Sequence, residues 1–307
     1  MIAIVNPEAA GGRAWRDWRR LRPLLERRYG PLEDRLTTAP HDAERFVREA
    51  ACSGEPRVVV AGGDGTLGEA VNGLCEEGGG PLLGARTEII YVRVGSGVDF
   101  ARSTGFSSRS AQEGIAAAAP REIDLGRLVV RGPDGAERAR LFVNIASAGL
   151  SADIADRANR GGKRLGGAFA FRVATLRGLA AWRDARFRLV LDGEARELEA
   201  SIVAVANGRY FGSGLCIAPG ADLASGRFEV IAVRSATVGL FLRHGGKLKR
   251  GAHTHLPQFS RFEARSVAIE PLDTDRDVLV EADGECPGLA PCRAEILPGA
   301  ATIVAPW

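Results

Sequence analysis

Residues 58–74, VVVAGGDGTLGEAVNGL, predict a buried strand, a glycine turn and the start of a helix. Three β-branched valines open the stretch, and apolar residues recur at helical spacing after the turn. Glycines let backbone N–H groups approach a bulky anion, and a helix N-terminus adds partial positive charge. The stretch is therefore a candidate phosphate-binding loop. The alternative is an ordinary strand-to-helix turn of an α/β protein, and this stretch alone leaves both open.

The acidic residue inside the turn, Asp64, favours one kind of phosphate. A carboxylate beside a bound phosphate is repelled unless it meets a cation or a nucleotide hydroxyl group. The turn therefore predicts a magnesium-bound nucleotide rather than bare phosphate.

The chain around this stretch predicts a doubly wound α/β domain over residues 1–125. Strands are expected at 2–5, 32–36, 57–61, 88–94 and 121–125, and helices at 13–28, 43–53 and 112–118. Asp42 is the expected N-cap of the second helix. Strands that alternate with helices form parallel sheets, which bind ligands at the carboxyl ends of their strands. Asn6 with Gly11 and Gly12 forms either a second nucleotide loop or a plain β–α turn at that edge. Residues 95–102 form a second glycine turn that leads toward a helix.

Residues 126–295 predict a second, β-rich domain. Strands joined by turns are expected at 128–130, 140–146, 187–191, 202–206, 228–233, 267–270 and 278–282. Only residues 168–182 have a convincing helical pattern. The last stretch, about 296–307, is apolar again and is expected to return to the first domain.

Composition limits the partners and the compartment. The formal net charge of +3 does not require nucleic acid as a partner. The five cysteines are odd in number and form no CxxC pair, which indicates reduced thiols in the cytosol. No apolar run reaches the roughly 18 residues needed to span a bilayer. We therefore expect a cytoplasmic protein that would work on membranes only from the inner face.

Several separate motifs occur in a fixed order along the chain. They are IVNP at 4–7 with Gly11 and Gly12; Thr37 and Thr38 followed by Asp42 and Ala43; GGDGT at 62–66; the turn at 95–102; Asn144, Gly149 and Asp153; residues 206–208, 210–212 and 217–219; and DGE at 283–285 with EILP at 295–298. Together they resemble the diacylglycerol kinase catalytic family, which includes bacterial soluble lipid kinases and sphingosine kinases. The first domain of that family is similar to NAD kinases, and the second is a β-sandwich.

The resemblance implies an ATP-dependent kinase whose active site lies in the cleft between two domains, with Mg²⁺ bound to the nucleotide. The implied nucleotide-binding residues are Asn6, Thr37, Gly62, Gly63, Asp64, Gly65, Thr66, Leu67, Gly68 and Ser96. Asp283 is the implied general base, with Glu285 and Asp64 as further catalytic carboxylates. A carboxylate facing the γ-phosphate can orient and deprotonate an alcohol. Without the other motifs, residues 283–285 would suggest a hairpin turn with exposed carboxylates.

The sequence also departs from the family pattern. Val98 replaces the usual Asn, Ser96 the usual Thr, and Gly68 an Asn that commonly follows GGDGT. Bacterial members carry a structural Mg²⁺ near residues 219–229, for which Asp222 and Ser225 are the candidate ligands. Ser225 and Glu229 each stand where the family has Asp, and serine is a poor ligand for Mg²⁺. These changes leave the survival of the metal site, the nucleotide preference and the acceptor open.

Two segments of the chain are rich in basic residues. Residues 156–188 interleave arginines with apolar residues, either as a surface for anionic lipid or as an amphipathic helix with a solvated arginine face. Residues 243–250 are expected to be a solvated basic loop or helix.

The leading hypothesis is an ATP-dependent lipid kinase for diacylglycerol or a sphingoid or ceramide-like lipid. The alternatives are a related kinase for a non-lipid alcohol in specialised metabolism and a catalytically idle nucleotide- or lipid-binding module. The expected partners are an amphiphilic acceptor and, transiently, a membrane surface, with no nucleic acid; a homodimer stays open.

Overall fold

A computed structural model describes residues 1–76, 82–83, 87–94, 99–104, 110–160, 182–273 and 277–307. The chain forms two compact units. The first contains Met1–Leu125 together with Pro298–Trp307, and the second contains Gly126–Leu297.

The first unit is an α/β domain built on a parallel sheet. Its elements are β1 (Ile2–Val5), α1 (Arg13–Tyr29), β2 (Glu33–Leu36), α2 (Asp42–Cys52), β3 (Arg57–Gly62), α3 (Asp64–Asn72), β4 (Glu88–Arg93), α4 (Asp99–Ser103) and α5 (Ala111–Ala117). The strand order is β2–β1–β3–β4, and Ile303 and Val304 add a further parallel strand beside β4. All four residues of β1 are buried, as expected for a parallel strand covered on both faces.

The register of this sheet determines where the loops lie. Val5, at the end of β1, pairs with Leu36 and with Ala61, and Gly62 at the end of β3 pairs with Arg93. The carboxyl ends of all four strands therefore meet at one edge of the sheet. Asn6, Thr37 and the glycine turn follow these ends directly.

The second unit is a β-sandwich-like domain. Its elements are β5 (Ala119–Arg131, which begins in the first unit), β6 (Glu137–Phe142), β7 (Ile145–Gly149), α6 (Leu150–Arg160), β8 (Ala185–Leu191), β9 (Glu194–Ala200), β10 (Ile202–Ala206), β11 (Tyr210–Phe211), β12 (Leu215–Cys216), β13 (Phe228–Val233), α7 (Val238–Arg250), β14 (Phe259–Ala264), β15 (Ser266–Pro271), β16 (Leu279–Ala282) and β17 (Glu285–Ala305, which ends in the first unit). Antiparallel pairs run in the order β14–β13–β10–β7–β16–β17, and β17 also pairs with β15, which is followed by β8 and β9. Phe142 stacks on Phe228 in the core, with ring centroids 5.6 Å apart. The predicted fold, a parallel α/β domain followed by a β-rich sandwich, is confirmed.

The helices of the second unit differ from the prediction. The helix predicted at 168–182 lies outside the described residues, apart from Trp182. The described part of this unit contains two helices that the sequence did not clearly predict, α6 and α7. α7 contains Gly239, Gly245 and Gly246, and glycine costs a helix about 1 kcal/mol relative to alanine. Tertiary packing and caps outweigh this cost: Leu240 and Leu248 are buried, and the Thr237 hydroxyl accepts the Leu240 N–H at 3.2 Å.

The glycines of α7 allow a direct test of that explanation. A Cβ atom added at Gly245 would meet no atom within 4 Å, and the residue has a helical rather than a positive φ. Gly245→Ala is therefore expected to raise the free energy of unfolding by about 0.5–1 kcal/mol. Urea denaturation measures this change. A loss of stability would show that α7 is not an ordinary helix at this position.

In the parts of the chain that the structure describes, no helix is both long and apolar enough to cross a membrane.

Candidate active site

The glycine turn joins β3 to α3, and two of its glycines, Gly62 and Gly65, have different surroundings. A Cβ at Gly62 would lie 2.4 Å from the Cβ of Thr66, so the backbone here approaches a buried side chain too closely for any other residue. A Cβ at Gly65 would meet nothing within 4 Å. The fold itself therefore requires glycine at position 62 but not at position 65.

Asn6 attaches the loop after β1 to this turn. Its side-chain N–H donates to the Thr66 hydroxyl at 3.1 Å, and its backbone N–H donates to the Ala61 carbonyl at 3.0 Å. The Asn6 amide oxygen accepts the Glu8 N–H at 3.2 Å. The structure thus brings together two of the predicted nucleotide loops, at residues 6–8 and 62–66.

The carboxylate of Asp64 has a role that the sequence did not indicate. It accepts the backbone N–H of Asp99 at 2.9 Å and that of Phe100 at 3.3 Å. These bonds attach the glycine turn to the start of α4. Ser96 and Val98, in the intervening turn, lie outside the described residues.

Thr37 lies at the same sheet edge, in a loop held by Asp42. The Thr37 N–H donates to the Val5 carbonyl at 2.9 Å. Asp42 Oδ2 accepts the backbone N–H of Thr38 at 2.7 Å and that of Ala39 at 2.9 Å. The Thr38 backbone, followed by the Arg45 guanidinium, holds the pKa of Asp42 well below its usual range. α2 begins at Asp42 and His41 precedes it, so Asp42 is the first residue of the helix rather than the predicted N-cap.

Leu67 and Gly68, the last two residues of this stretch that were predicted to bind the nucleotide, lie within α3. The side chain of Leu67 is buried, and its N–H donates to the Gly63 carbonyl, so Leu67 packs the helix against the sheet. Gly68 lies inside the helix, and its carbonyl accepts the side-chain N–H of Asn72 at 2.8 Å.

A cavity rich in arginine, which no sequence motif predicted, lies at the same sheet edge. Its volume is about 440 Å³, and its described lining is Ala10, Arg13, Arg16, Asp17, Arg20, Arg93 and Val94. The Val94 N–H donates to the carbonyl of Gly62, so the cavity adjoins the glycine turn. Four arginines and a single acidic residue therefore line this cavity. The spacing of arginines at 13, 16 and 20 on one face of α1 was the available signal, but the distant Arg93 completes the cluster.

In the second unit, the DGE motif forms a tight β-hairpin. Ala282 pairs with Glu285, and the two turn residues, Asp283 and Gly284, have φ angles of 48° and 89°. Positive φ at both positions is the geometry of a type I′ turn, for which Asp-Gly is a favoured sequence. The hairpin interpretation of residues 283–285 is therefore correct for the backbone.

The Asp283 carboxylate folds back onto the loop before β7 and is partly buried. It accepts the backbone N–H groups of Val143 at 2.6 Å, Asn144 at 3.0 Å and Ile145 at 3.1 Å. Three donors stabilise its negative charge and fix its orientation. Beside it, the amide oxygen of Asn144 is buried and has no hydrogen-bond donor among the described residues.

Two more carboxylates support this hairpin. Glu285 accepts from the Arg140 guanidinium at 3.0 Å. Glu281, which the sequence analysis missed, accepts the Gly284 N–H at 2.8 Å and the Ser147 hydroxyl at 2.5 Å. Glu281 is only 6% exposed. Its place within a strand gave no sign that it would be buried beneath the turn.

The two candidate ligands of a structural Mg²⁺, Asp222 and Ser225, take part in local hydrogen bonds. Asp222 accepts the Ala224 N–H at 2.9 Å, and the Ser225 hydroxyl donates to the Arg227 carbonyl at 2.9 Å. Glu229 is 2% exposed and is paired with the guanidinium of Arg261. Among the described residues, no group of three or more His, Cys, Asp or Glu side chains could hold a metal ion. Arg261 thus supplies the positive charge that the buried carboxylate requires.

This arrangement predicts that the fold does not depend on divalent cations. Chelation with EDTA is expected to leave the thermal unfolding midpoint unchanged, because Arg261 rather than a metal compensates Glu229. Arg261→Met, by contrast, is expected to lower the free energy of unfolding by about 2–3 kcal/mol, because it leaves the buried carboxylate without a cation. Arg227→Met, on an exposed neighbouring pair, is the control and should cost about 0.5 kcal/mol or less. A large loss of stability on chelation would contradict this account.

Comparison with known proteins places both units in one family. The diacylglycerol kinase catalytic domain matches residues 1–128, and the YegS C-terminal NAD kinase beta sandwich-like domain matches residues 144–305. The chain therefore belongs to the diacylglycerol kinase-like family of lipid kinases.

Individual relatives agree with this assignment. A diacylglycerol kinase of Mycobacterium tuberculosis strain H37Rv is 28% identical, over 100% of this chain and 95% of its own length. A YegS-like lipid kinase of Chromohalobacter salexigens is 32% identical, over 90% of this chain and 84% of its own length. The structure of a diacylglycerol kinase from Bacillus anthracis strain Sterne superposes with a TM-score of 0.70 at 23% identity, covering 99% and 96% of the two chains; this likeness supports the fold alone. The resemblance seen in the sequence is confirmed.

Proposed function

We propose that this protein transfers the γ-phosphoryl group of ATP to a hydroxyl group of a lipid, such as diacylglycerol or a sphingoid or ceramide-like lipid. The observation that carries the proposal is the glycine turn beside the arginine-lined cavity. A glycine with open space at position 65, a helix N-terminus and four guanidinium groups at one sheet edge suit the phosphates of a nucleotide.

The nucleotide would bind along that edge. The backbone N–H groups at the start of α3 face the phosphates, and Gly65 lets them approach closely. Asn6 holds the turn through Thr66, and Thr37 follows β2 at the same edge, on the other side of β1. The arginines of the cavity neutralise the polyphosphate charge. When bound with ATP, Mg²⁺ neutralises the charge that develops on the transferred group.

Asp283 would be the general base of the reaction. The acceptor hydroxyl gives its proton to the Asp283 carboxylate as its oxygen bonds to the γ-phosphorus. The bond between that phosphorus and the β,γ-bridging oxygen breaks, so ADP leaves and the lipid becomes a phosphomonoester. Three backbone N–H bonds and the Glu281 contact to Gly284 hold the base in place. The buried amide oxygen of Asn144, for which the described residues provide no donor, would accept a hydrogen bond from the acceptor.

A panel of acceptors tests the proposal. Purified protein with Mg-ATP is expected to release ADP only when a lipid with a free hydroxyl group is present. Turnover with soluble alcohols but not with lipids would favour the kinase for a non-lipid acceptor, which the unusual residues Gly68, Val98 and Ser225 motivate. Binding of ATP without turnover on any acceptor would favour the idle binding module.

A further inference from the structure

The outer face of α7 combines an exposed apolar side chain with basic residues. Leu242 is 83% exposed, the largest exposure among the large hydrophobic residues that the structure describes. The other exposed positions of the helix are Gly239, Arg243, Gly246, Lys249 and Arg250. Spacings of three and four place these residues on one side of the helix. We call this side the outer face of α7.

The opposite side anchors the helix firmly to the second unit. Leu240 and Leu248 belong to an apolar cluster that also contains Ile231 of β13 and Leu150 of α6. The outer face is therefore held in a fixed orientation by a packed core. Leu242 has no place in that core, and its exposure is not explained by folding.

The charge of this helix is entirely positive. Arg243, Lys247, Lys249 and Arg250 occur within 13 residues that contain no acidic residue. Among the described residues, none of these four side chains forms an ion pair. Other surface arginines are paired with carboxylates, as in Arg157–Asp153 and Arg293–Glu137. The positive charge of α7 is thus available to an external partner.

We propose that the outer face of α7 docks on the surface of an anionic membrane, with Leu242 inserted at the level of the lipid headgroups. An anionic membrane explains both features of this face. Its negative surface potential attracts the basic residues, and its hydrocarbon region buries the apolar side chain, so both contribute to the binding free energy. An acidic protein surface would pair with the basic residues, but it would not explain why Leu242 is exposed among them. The purpose of docking rests on the proposed function, since a lipid kinase must take its acceptor from a bilayer.

Binding to vesicles tests this proposal without reference to catalysis. The full-length protein should sediment with vesicles of phosphatidylcholine and phosphatidylglycerol but not with phosphatidylcholine alone, and high salt should weaken this binding. The double variant Arg243→Glu/Lys249→Glu should weaken the partition to anionic vesicles by about 30-fold or more. Leu242→Ala should weaken it by about fivefold, because three buried carbon atoms are removed from a partly inserted side chain.

A matched control separates this surface from general charge. Arg19→Glu/Arg27→Glu changes the net charge by the same amount on the exposed side of α1 and should bind vesicles like the wild-type protein. Failure of the wild-type protein to bind anionic vesicles would overturn the proposal. Equal losses in the two double variants would also overturn it, because binding would then follow net charge. Undiminished binding of the α7 variants would overturn it too, because another surface would then contact the membrane.

Kinase assays distinguish a failure of docking from a failure of the proposed reaction. The α7 variants should keep wild-type activity on a water-soluble, short-chain acceptor and lose activity on acceptor presented in vesicles. The vesicle-binding results stand whether or not an acceptor is found.

Discussion

Asp283→Asn is expected to lower the turnover of the kinase by about 100-fold or more, while nucleotide affinity changes little. Asparagine cannot take the proton of the acceptor hydroxyl, but it is nearly the same size as aspartate. It also tolerates the positive φ of 48° at this position, and Asn-Gly is itself a favoured type I′ turn. The substitution therefore removes the base and keeps the hairpin.

The structure offers a matched control for this variant in the same unit. Asp192 also begins an Asp-Gly turn, with φ angles of 49° and 93° at Asp192 and Gly193. Its carboxylate accepts the backbone N–H groups of Arg265 and Ser266 at 2.9 and 2.8 Å. Asp192→Asn should cost a similar amount of stability, about 1–2 kcal/mol, without loss of turnover.

Steady-state kinetics of the two variants, with urea denaturation of each, separates chemistry from folding. Equal effects on turnover in both would mean that Asp283 is only a turn residue. Near-normal turnover in Asp283→Asn would remove it from the role of base.

Gly65→Ala is expected to weaken nucleotide binding by about tenfold or more while the protein becomes no less stable. A methyl group at position 65 meets no atom of the described residues within 4 Å, and alanine is favoured over glycine in a helix by up to about 1 kcal/mol. The added methyl group would instead occupy the space that the phosphates need. A loss of affinity without a loss of stability would identify a glycine that is present for the ligand.

Gly62→Ala provides the contrast. Its Cβ would lie 2.4 Å from Thr66, so the turn must shift, and the free energy of unfolding should fall by about 2–3 kcal/mol together with nucleotide affinity. Calorimetric titration with a non-hydrolysable ATP analogue and thermal unfolding give the two quantities for each variant. Unchanged affinity in Gly65→Ala would contradict nucleotide binding at this turn.

The sequence predicted the first unit well because its determinants are local. Buried β-branched runs, helical periodicity and glycine turns predict β1, β3 and α3 from neighbouring residues alone, and the rules for parallel sheets then place Asn6, Thr37 and Gly62 at one edge. The order of the motifs predicted the family, which the comparisons confirm.

The partners of the charged residues in the candidate site could not be predicted, because they are distant in sequence. The Asp64 carboxylate binds N–H groups 35 and 36 residues away, and Asp283 binds N–H groups about 140 residues away. No local pattern predicts such partners. Arg93 likewise joins the arginines of α1 only through the sheet, and Glu229 meets Arg261 only through the pairing of β13 with β14.

The sequence did not clearly predict that residues 238–250 form a helix. Its local signal is weak because of three glycines, and tertiary burial of Leu240 and Leu248 decides its structure. The basic residues at 243–250 were interpreted as a solvated loop or helix. Only the fold shows that Arg243, Lys249 and Arg250 share one fixed face with Leu242.

The most direct test of the central claim is the transfer of labelled phosphate from γ-³²P-ATP to a lipid. Purified protein is incubated with Mg-ATP and mixed vesicles that contain diacylglycerol, a sphingoid base or ceramide, and the extracted lipids are examined by chromatography and mass spectrometry. We expect one of these lipids to carry the label as a phosphomonoester, and the label to be absent with Asp283→Asn. Binding of ATP by the protein with no labelled lipid from any acceptor would contradict a lipid kinase.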